Sequence, residues 1–115
     1  MNTGKSAAVA IPTGPIITLA YRVLPERRTE LLEFLERAVP FYEEPGGIRI
    51  ALYESLDDPA LLLELVAYES IAAYEADQAR VESNPKMQAL LAEWRTFFDG
   101  SLEVQRMKPI QFSYV

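Results

Sequence analysis

Seven side chains in this sequence belong to types that bind or orient a small molecule. They are carboxylates, phenols, a guanidinium and an indole: Arg49, Tyr53, Glu64, Tyr68, Tyr74, Asp77 and Trp94. The chain contains no His and no Cys, which removes thiolate nucleophiles, disulfides and Cys-ligated metals. The residue types therefore predict a substrate-binding set. They identify no catalytic residue, and we predict no metal site.

Four of these residues fall on two segments that are consecutive strands in our prediction. Arg49 and Tyr53 share one side of the first strand, and Glu64 and Tyr68 share one side of the second, because side chains alternate along a strand. If the register brings those sides together, the four form a polar cluster that orients an acidic or phenolic ligand. The alternative is an Arg–Glu pair with both Tyr hydroxyls satisfied at a dimer interface. Loop length does not fix the register, so both interpretations stay open.

The other three residues lie on predicted helices. Tyr74 and Asp77 are three positions apart and are neighbours on a helix surface. They either flank the mouth of a pocket or form a solvated helix face. Trp94 belongs to an aromatic stripe with Phe97 and Phe98, which either lines a pocket or packs in the core; a stripe at helical spacing is more often core.

The two strands that carry the cluster are the centre of the predicted fold. Residues 48–55 nearly alternate apolar and polar positions, and residues 61–68 are apolar except at Glu64. A Gly-Gly pair precedes the first strand, and an Asp-Asp-Pro turn joins the two. A helix competes over residues 61–69, since Leu, Glu and Ala are good helix formers. The short turn and the β-forming residues favour a strand.

Periodicity predicts five further elements. They are a strand at 16–23, a helix at about 25–44, helices at 71–81 and 85–98, and a strand at 102–107. Ser70 and Asn84 are suited to cap the second and third helices, and Pro40 should kink the first. The resulting order is the ferredoxin-like βαββαβ arrangement, an α+β fold in which helices cover one face of a four-stranded antiparallel sheet.

The uncovered face of that sheet is also largely apolar. The strand at 61–68 has almost no polar side apart from Glu64. A monomer would therefore expose a larger apolar patch than soluble monomeric proteins usually tolerate. We predict a twofold homodimer in which the two sheets face each other.

Length and composition bound the class of protein. The chain has 115 residues, of which 50% are hydrophobic, and a net charge of −6. This predicts one soluble domain at residues 15–109, between a flexible tail at 1–14 and a short tail at 110–115. The acidic charge disfavours nucleic acid and membrane as partners. With no membrane-length apolar run and no clear secretory signal, we expect a cytoplasmic protein.

Four segments together resemble the dimeric α+β barrel superfamily, and within it the antibiotic biosynthesis monooxygenase-like domain. They are Pro25 after the first strand, EPGG at 44–47, LYESLDDP at 52–59 and YESIAAYEAD at 68–77. Tyr68-Glu69 stands where a Trp–Glu pair is common in the family, and Ala73 matches a family alanine. Asp77 stands where the family often has His. The resemblance covers roughly residues 16–107.

The resemblance implies a cofactor-independent oxidoreductase that oxidises a small phenol or quinol in a pocket between sheet and helices. Haem-degrading relatives need a His on iron, which this chain lacks, so we predict no cofactor. Asp77 could act as a base only if burial raised its pKa. Whether the protein is an enzyme stays open. The alternatives are a non-catalytic dimer that binds a small apolar ligand and a structural dimer without ligand.

Overall fold

A four-stranded antiparallel sheet is the base on which the helices pack. The structure is a computed structural model that describes residues 11–98 and 100–112. Its elements are β1 (Ile16–Arg22), a short 3-10 turn (Pro25–Arg27), α1 (Arg28–Glu43), β2 (Ile48–Glu54), β3 (Leu61–Tyr68), α2 (Ile71–Ser83), α3 (Pro85–Arg95) and β4 (Glu103–Met107). The sheet order is β2-β3-β1-β4, and the predicted ferredoxin-like α+β fold is confirmed.

The local signals in the sequence set the helix boundaries. The Ser70 hydroxyl accepts a hydrogen bond from the Ala73 N–H at 3.1 Å, and the Asn84 side chain accepts one from the Met87 N–H at 2.9 Å. Both are N-caps, which satisfy amides that the first helical turn leaves unpaired. Helix α1 runs through Pro40 as one element, and α3 ends at Arg95, three residues earlier than predicted.

Register divides the sheet into two chemically different faces. On the helix-facing side, Glu64 lies opposite Leu52 and Leu19, and Tyr68 lies opposite Ile48. Together with α1 and α3, this side of the sheet buries an aromatic-rich core that includes Tyr21, Leu31, Phe34, Leu62, Trp94 and Phe97.

The same register overturns the four-residue polar cluster. Arg49 pairs with Ala67 and Tyr53 pairs with Leu63, so both lie on the side of the sheet away from the helices. Glu64 and Tyr68 point to the helices. The cluster required a pairing of β2 with β3 that is shifted by one residue from the observed pairing. Such a shift moves every side chain of a strand to the other face of the sheet.

The face without helices is apolar along its central strand. Leu61, Leu63, Leu65 and Ala67 of β3 lie on it and are only half-buried, in strict alternation with buried neighbours. Thr18 and Ala20 of β1 flank them. This is the surface on which our predicted dimer depends.

Residues 11–14 of the predicted N-terminal tail are described, and the last of them packs tightly. Residues 1–10, with 113–115 of the C-terminal tail, lie outside the described residues. Gly14 is buried, and a Cβ added to it would lie 2.1 Å from the Tyr68 carbonyl oxygen. The next residue, Pro15, accepts a hydrogen bond from the Tyr68 N–H at 3.0 Å. Gly14 thus lets the chain approach the end of β3.

Gly14→Ala is expected to lower the free energy of unfolding by about 2–4 kcal/mol, because the new methyl group displaces backbone rather than a mobile side chain. Urea unfolding measures the loss. The control is Gly46→Ala, where the added Cβ meets open space but φ is +85°, so the expected cost is only about 1 kcal/mol. Equal losses in the two variants would contradict the close approach at Gly14.

Candidate functional site

A cavity of about 200 Å³ lies between the sheet and the helices. All four strands and all three α-helices contribute to its wall. Its lining is mostly apolar, with Ile17, Ile48, Ile50, Val66, Val81, Met87 and Leu91 among the contributors. The polar groups that reach it are few: Tyr42, Glu64, Tyr68, Asp77, Gln78, Trp94, Arg95 and Arg106. A mostly apolar cavity with a few convergent polar groups is typical of a small-molecule site.

Glu64 is the buried acid of this cavity. Its residue is 5% exposed, and one carboxylate oxygen, Oε1, accepts two hydrogen bonds. The Tyr21 hydroxyl donates at 2.5 Å and the Trp94 indole N–H donates at 3.0 Å. The second oxygen, Oε2, has no hydrogen-bond partner within the described residues. Tyr21 and Trp94 hold the carboxyl in place and leave one oxygen available.

Burial raises the pKa of Glu64, and the hydrogen bonds from Tyr21 and Trp94 oppose that rise by stabilising the ionised form. A carboxylate with a raised pKa is a stronger base than an ordinary surface glutamate. The local environment therefore moves Glu64 toward the pKa range useful for proton transfer at neutral pH.

Glu64→Gln is expected to remove a pH dependence of stability. Because folding raises the pKa of Glu64, the native state keeps a proton that the unfolded state releases above about pH 4.5. The free energy of unfolding of the wild type should therefore fall as pH rises from there to the folded-state pKa, and the variant should not share that loss. Urea unfolding followed by Trp94 fluorescence from about pH 4 to 9 measures the difference. A difference that is constant with pH would contradict the raised pKa.

Tyr42 supplies a second polar group beside Glu64. Its hydroxyl oxygen is buried and makes no hydrogen bond within the described residues. Burial raises the pKa of Tyr42, and the negative charge of Glu64 raises it further. A buried hydroxyl without a partner is uncommon, because it loses its hydrogen bonds with water and gains none. Tyr42 and Glu64 both line the cavity, and the open oxygen of Glu64 is the group available to a ligand there.

Tyr68 and Asp77 form a separate polar chain in the same cavity wall. The Tyr68 hydroxyl donates to the Asp77 carboxylate at 2.6 Å, and Arg80 lies 3.8 Å from the other Asp77 oxygen. The Asp77 and Arg80 side chains are only 11% and 15% exposed. Arg80 also donates to the backbone carbonyls of Phe41 and Tyr42 at the end of α1. Asp77 therefore belongs to a partly buried network in which Arg80 offsets its charge, and not to a solvated helix face.

The predicted site residues separate into three groups. Glu64, Tyr68, Asp77 and Trp94 line the cavity. Tyr74 packs edge-on against the Tyr68 ring, with centroids 5.3 Å apart, and supports the wall without lining it. Arg49 and Tyr53 lie on the opposite face of the sheet. Trp94 is both core and cavity, so the two interpretations of the aromatic stripe are not exclusive.

The sequence-based predictions omitted Tyr21, which donates to Glu64, and Tyr42, which lines the same cavity. One acid inside an otherwise apolar strand needs donors, since a buried carboxylate without them is costly. Tyr21 lies on the core side of β1 and Tyr42 on the apolar side of α1. A tyrosine hydroxyl on an otherwise apolar face was the sequence signal that could have identified both residues. The cavity arginines, Arg95 and Arg106, gave no comparable signal.

A groove between α1 and β2 also reaches Glu64. Its volume is about 530 Å³, and its wall is aliphatic apart from Glu36 and Glu64. Among the described residues that line it, none offers a hydroxyl or a cation to a ligand. The smaller cavity therefore has the richer chemistry, and we take it as the candidate site.

A ferredoxin-like α+β domain with a ligand-sized cavity between sheet and helices defines the class of this protein. Among solved structures, a mutant of SnoaB from Streptomyces nogalater, a cofactor-independent oxygenase, is similar with a TM-score of 0.69 at 14% identity; the match covers 87% of this chain and 96% of that one. Rv0793 from Mycobacterium tuberculosis has a TM-score of 0.64 at 20% identity, over 87% and 99%. A NIPSNAP family protein from Agrobacterium tumefaciens has a TM-score of 0.66 at 14% identity, over 96% and 97%. At these identities the likeness establishes the fold alone.

Sequence comparison establishes the family. The family model for antibiotic biosynthesis monooxygenase matches residues 16–83, which is more than half of the chain. The chain belongs to the antibiotic biosynthesis monooxygenase family, as the four segments in its sequence indicated. A comparison with curated proteins gave no match. Of the helices in the described residues, none combines the length and hydropathy needed to cross a bilayer.

Proposed function

We propose that this protein is a cofactor-independent monooxygenase that oxidises a small electron-rich phenol or quinol. The observation that carries the proposal is Glu64, a buried carboxylate with a raised pKa and one open oxygen in a mostly apolar cavity. Family membership supports the reaction class, and the similarity to a cofactor-independent oxygenase is consistent with it. Because fold alone does not fix function, the proposal depends on what Glu64 does.

In this proposal Glu64 is the general base. The phenol O–H bond breaks and its proton moves to the open oxygen of Glu64. The electron-rich phenolate then reduces O₂: a new bond forms between a ring carbon and oxygen, the O–O bond breaks, and the ring carbon loses its proton. One oxygen atom stays in the quinone and the other leaves as water. Phenol and O₂ thus give quinone and water, and atoms and electrons balance.

The cavity wall assists this chemistry in two ways. Its aliphatic and aromatic side chains exclude water, which strengthens the electrostatic interactions of the phenolate with its neighbours. The Tyr68–Asp77–Arg80 network fixes the wall near the end of α1, so that the substrate ring meets a rigid surface. Burial and the Asp77 carboxylate both raise the pKa of Tyr68, which keeps this phenol protonated and unreactive.

Oxygen consumption tests the proposal. An oxygen electrode records uptake with a panel of naphthols, anthrols and quinols, against the same compounds without protein to subtract spontaneous oxidation. We expect saturable uptake with at least one member and the quinone as product. Binding without uptake above the background across the panel would remove the oxygenase proposal.

A specific observation favours a second candidate, a non-catalytic dimer that binds a small ligand. Glu64 already receives hydrogen bonds from Tyr21 and Trp94, as a structural carboxylate does. In that case the cavity binds aromatic compounds and Glu64 only satisfies two donors in the core. The oxygen measurement separates the two candidates.

The homodimer and the cytoplasmic location belong to the same proposal. The half-buried aliphatic residues of β3 on the face without helices support a partner sheet there. The cytoplasmic location is proposed from the amino-acid sequence alone.

A further inference from the structure

The arginines of this chain are paired with acids, with two exceptions. Within the described residues, six of the eight form ion pairs, with Asp58, Glu30, Glu54, Glu93, Glu43 and Asp77 as partners. The two that form none with any residue that the structure describes are Arg95 and Arg106. In a chain of net charge −6, partners for a surface arginine are abundant. The absence of a partner at these two positions therefore needs a reason.

Both unpaired arginines line the candidate cavity. Arg106 lies on β4, in register with Ile17 of β1 and thus on the helix-facing side of the sheet. Arg95 is the last residue of α3 and follows Trp94, whose indole contacts Glu64. Both arginines are exposed, whereas Glu64 and Trp94 are buried. The cavity therefore has a cationic rim and an acidic inner end.

This distribution of charge orients a ligand. A guanidinium binds a carboxylate through two parallel hydrogen bonds. The inner end repels an anion, because it holds the Glu64 carboxylate, and the other acid of the wall, Asp77, is already paired with Arg80. A ligand with one anionic end would therefore place that end at the rim and its neutral phenol at Glu64.

We propose that Arg95 and Arg106 bind a carboxylate carried by the aromatic substrate, so that the substrate class is aromatic hydroxy acids. The inference rests on the proposed function for the role of the phenol. To the proposed function it adds that the substrate is an anion and that Arg95 and Arg106 determine specificity for it.

Binding of a matched ligand pair tests the inference. Equilibrium dialysis under nitrogen compares 6-hydroxy-2-naphthoate with 2-naphthol, which differ by one carboxylate, so that no turnover intervenes. We expect the acid to bind the wild type at least about tenfold more tightly than the neutral naphthol, with an advantage that shrinks as salt is raised. Arg95→Gln and Arg106→Gln should each lose about tenfold in affinity for the acid and leave 2-naphthol unchanged.

The control is Arg22→Gln, which removes the same charge from an exposed arginine that is paired with Asp58; acid binding should be unchanged. Equal affinities of the wild type for the two naphthols, or variants that weaken both equally, would overturn the inference whatever the oxygen electrode shows. Preferential binding of the acid without oxygen uptake would retain the arginine site and remove the oxygenase proposal. The two proposals can therefore fail separately.

Discussion

Oxygen uptake is expected to fall by a factor of about 10² to 10⁴ when Glu64 is replaced by Gln, which is the usual contribution of a general base. Gln keeps the size of the side chain and can still accept from Tyr21 and Trp94, but it cannot take the phenol proton. Affinity for 2-naphthol should change little, because the cavity keeps its shape. The measurements are uptake at saturating substrate and dialysis of the naphthol.

Two further variants separate catalysis from structure. Glu54→Gln neutralises an exposed glutamate that pairs with Arg28, and its uptake should match the wild type. Tyr21→Phe removes a hydrogen bond that lowers the pKa of Glu64, so the acidic limb of the pH–rate profile should move to higher pH. If Glu64→Gln retained full uptake, or if Tyr21→Phe left the profile unshifted, Glu64 would not be the base.

Leu65→Glu is expected to convert the protein from dimer to monomer at micromolar concentration. Leu65 lies on the apolar face of the central strand β3, between Ala51 of β2 and Thr18 of β1. A carboxylate there would be buried without a partner on twofold pairing, at a cost of about 3–5 kcal/mol in each interface. Sedimentation velocity measures the mass, and circular dichroism shows whether the variant remains folded.

A matched control is available in the turn between β2 and β3. Leu56 is 103% exposed, so Leu56→Glu makes the same chemical change away from the apolar face. It should remain dimeric. A wild type that sediments as a monomer at micromolar concentration would refute the interface, as would a Leu65→Glu variant that stays dimeric.

The order and type of the elements could be predicted because each has a local cause. Residues 61–68 are a strand at the predicted bounds, and Ser70 and Asn84 cap their helices as expected. These features depend on neighbours within a few positions. Which residues of a strand share a face could also be predicted, since Ile48 and Ile50 both lie on the cavity side of β2.

The site could be predicted only in part, because it depends on pairing between distant segments. The hypothesis that joined Arg49 and Tyr53 to Glu64 and Tyr68 was wrong. Each strand's own alternation was right, but the hairpin sets Ile48, not Arg49, opposite Tyr68. Turn geometry fixes that offset, and composition does not reveal it. Arg106 was not predicted for a related reason. It lies on an exposed edge strand, and nothing in the sequence shows which face of that strand lines a cavity.

Strand β3 carries two surfaces on alternate residues. Its even-numbered positions face the helices, with Glu64 and Tyr68 at the cavity, and its odd-numbered positions, with Leu63 and Leu65, face away from the helices. Even positions can thus be changed without altering the apolar outer face, and odd positions can be varied without altering the cavity wall. The same arrangement makes the strand intolerant of insertion or deletion, because a shift of one residue would bring a carboxylate to the outer surface and leucines into the cavity.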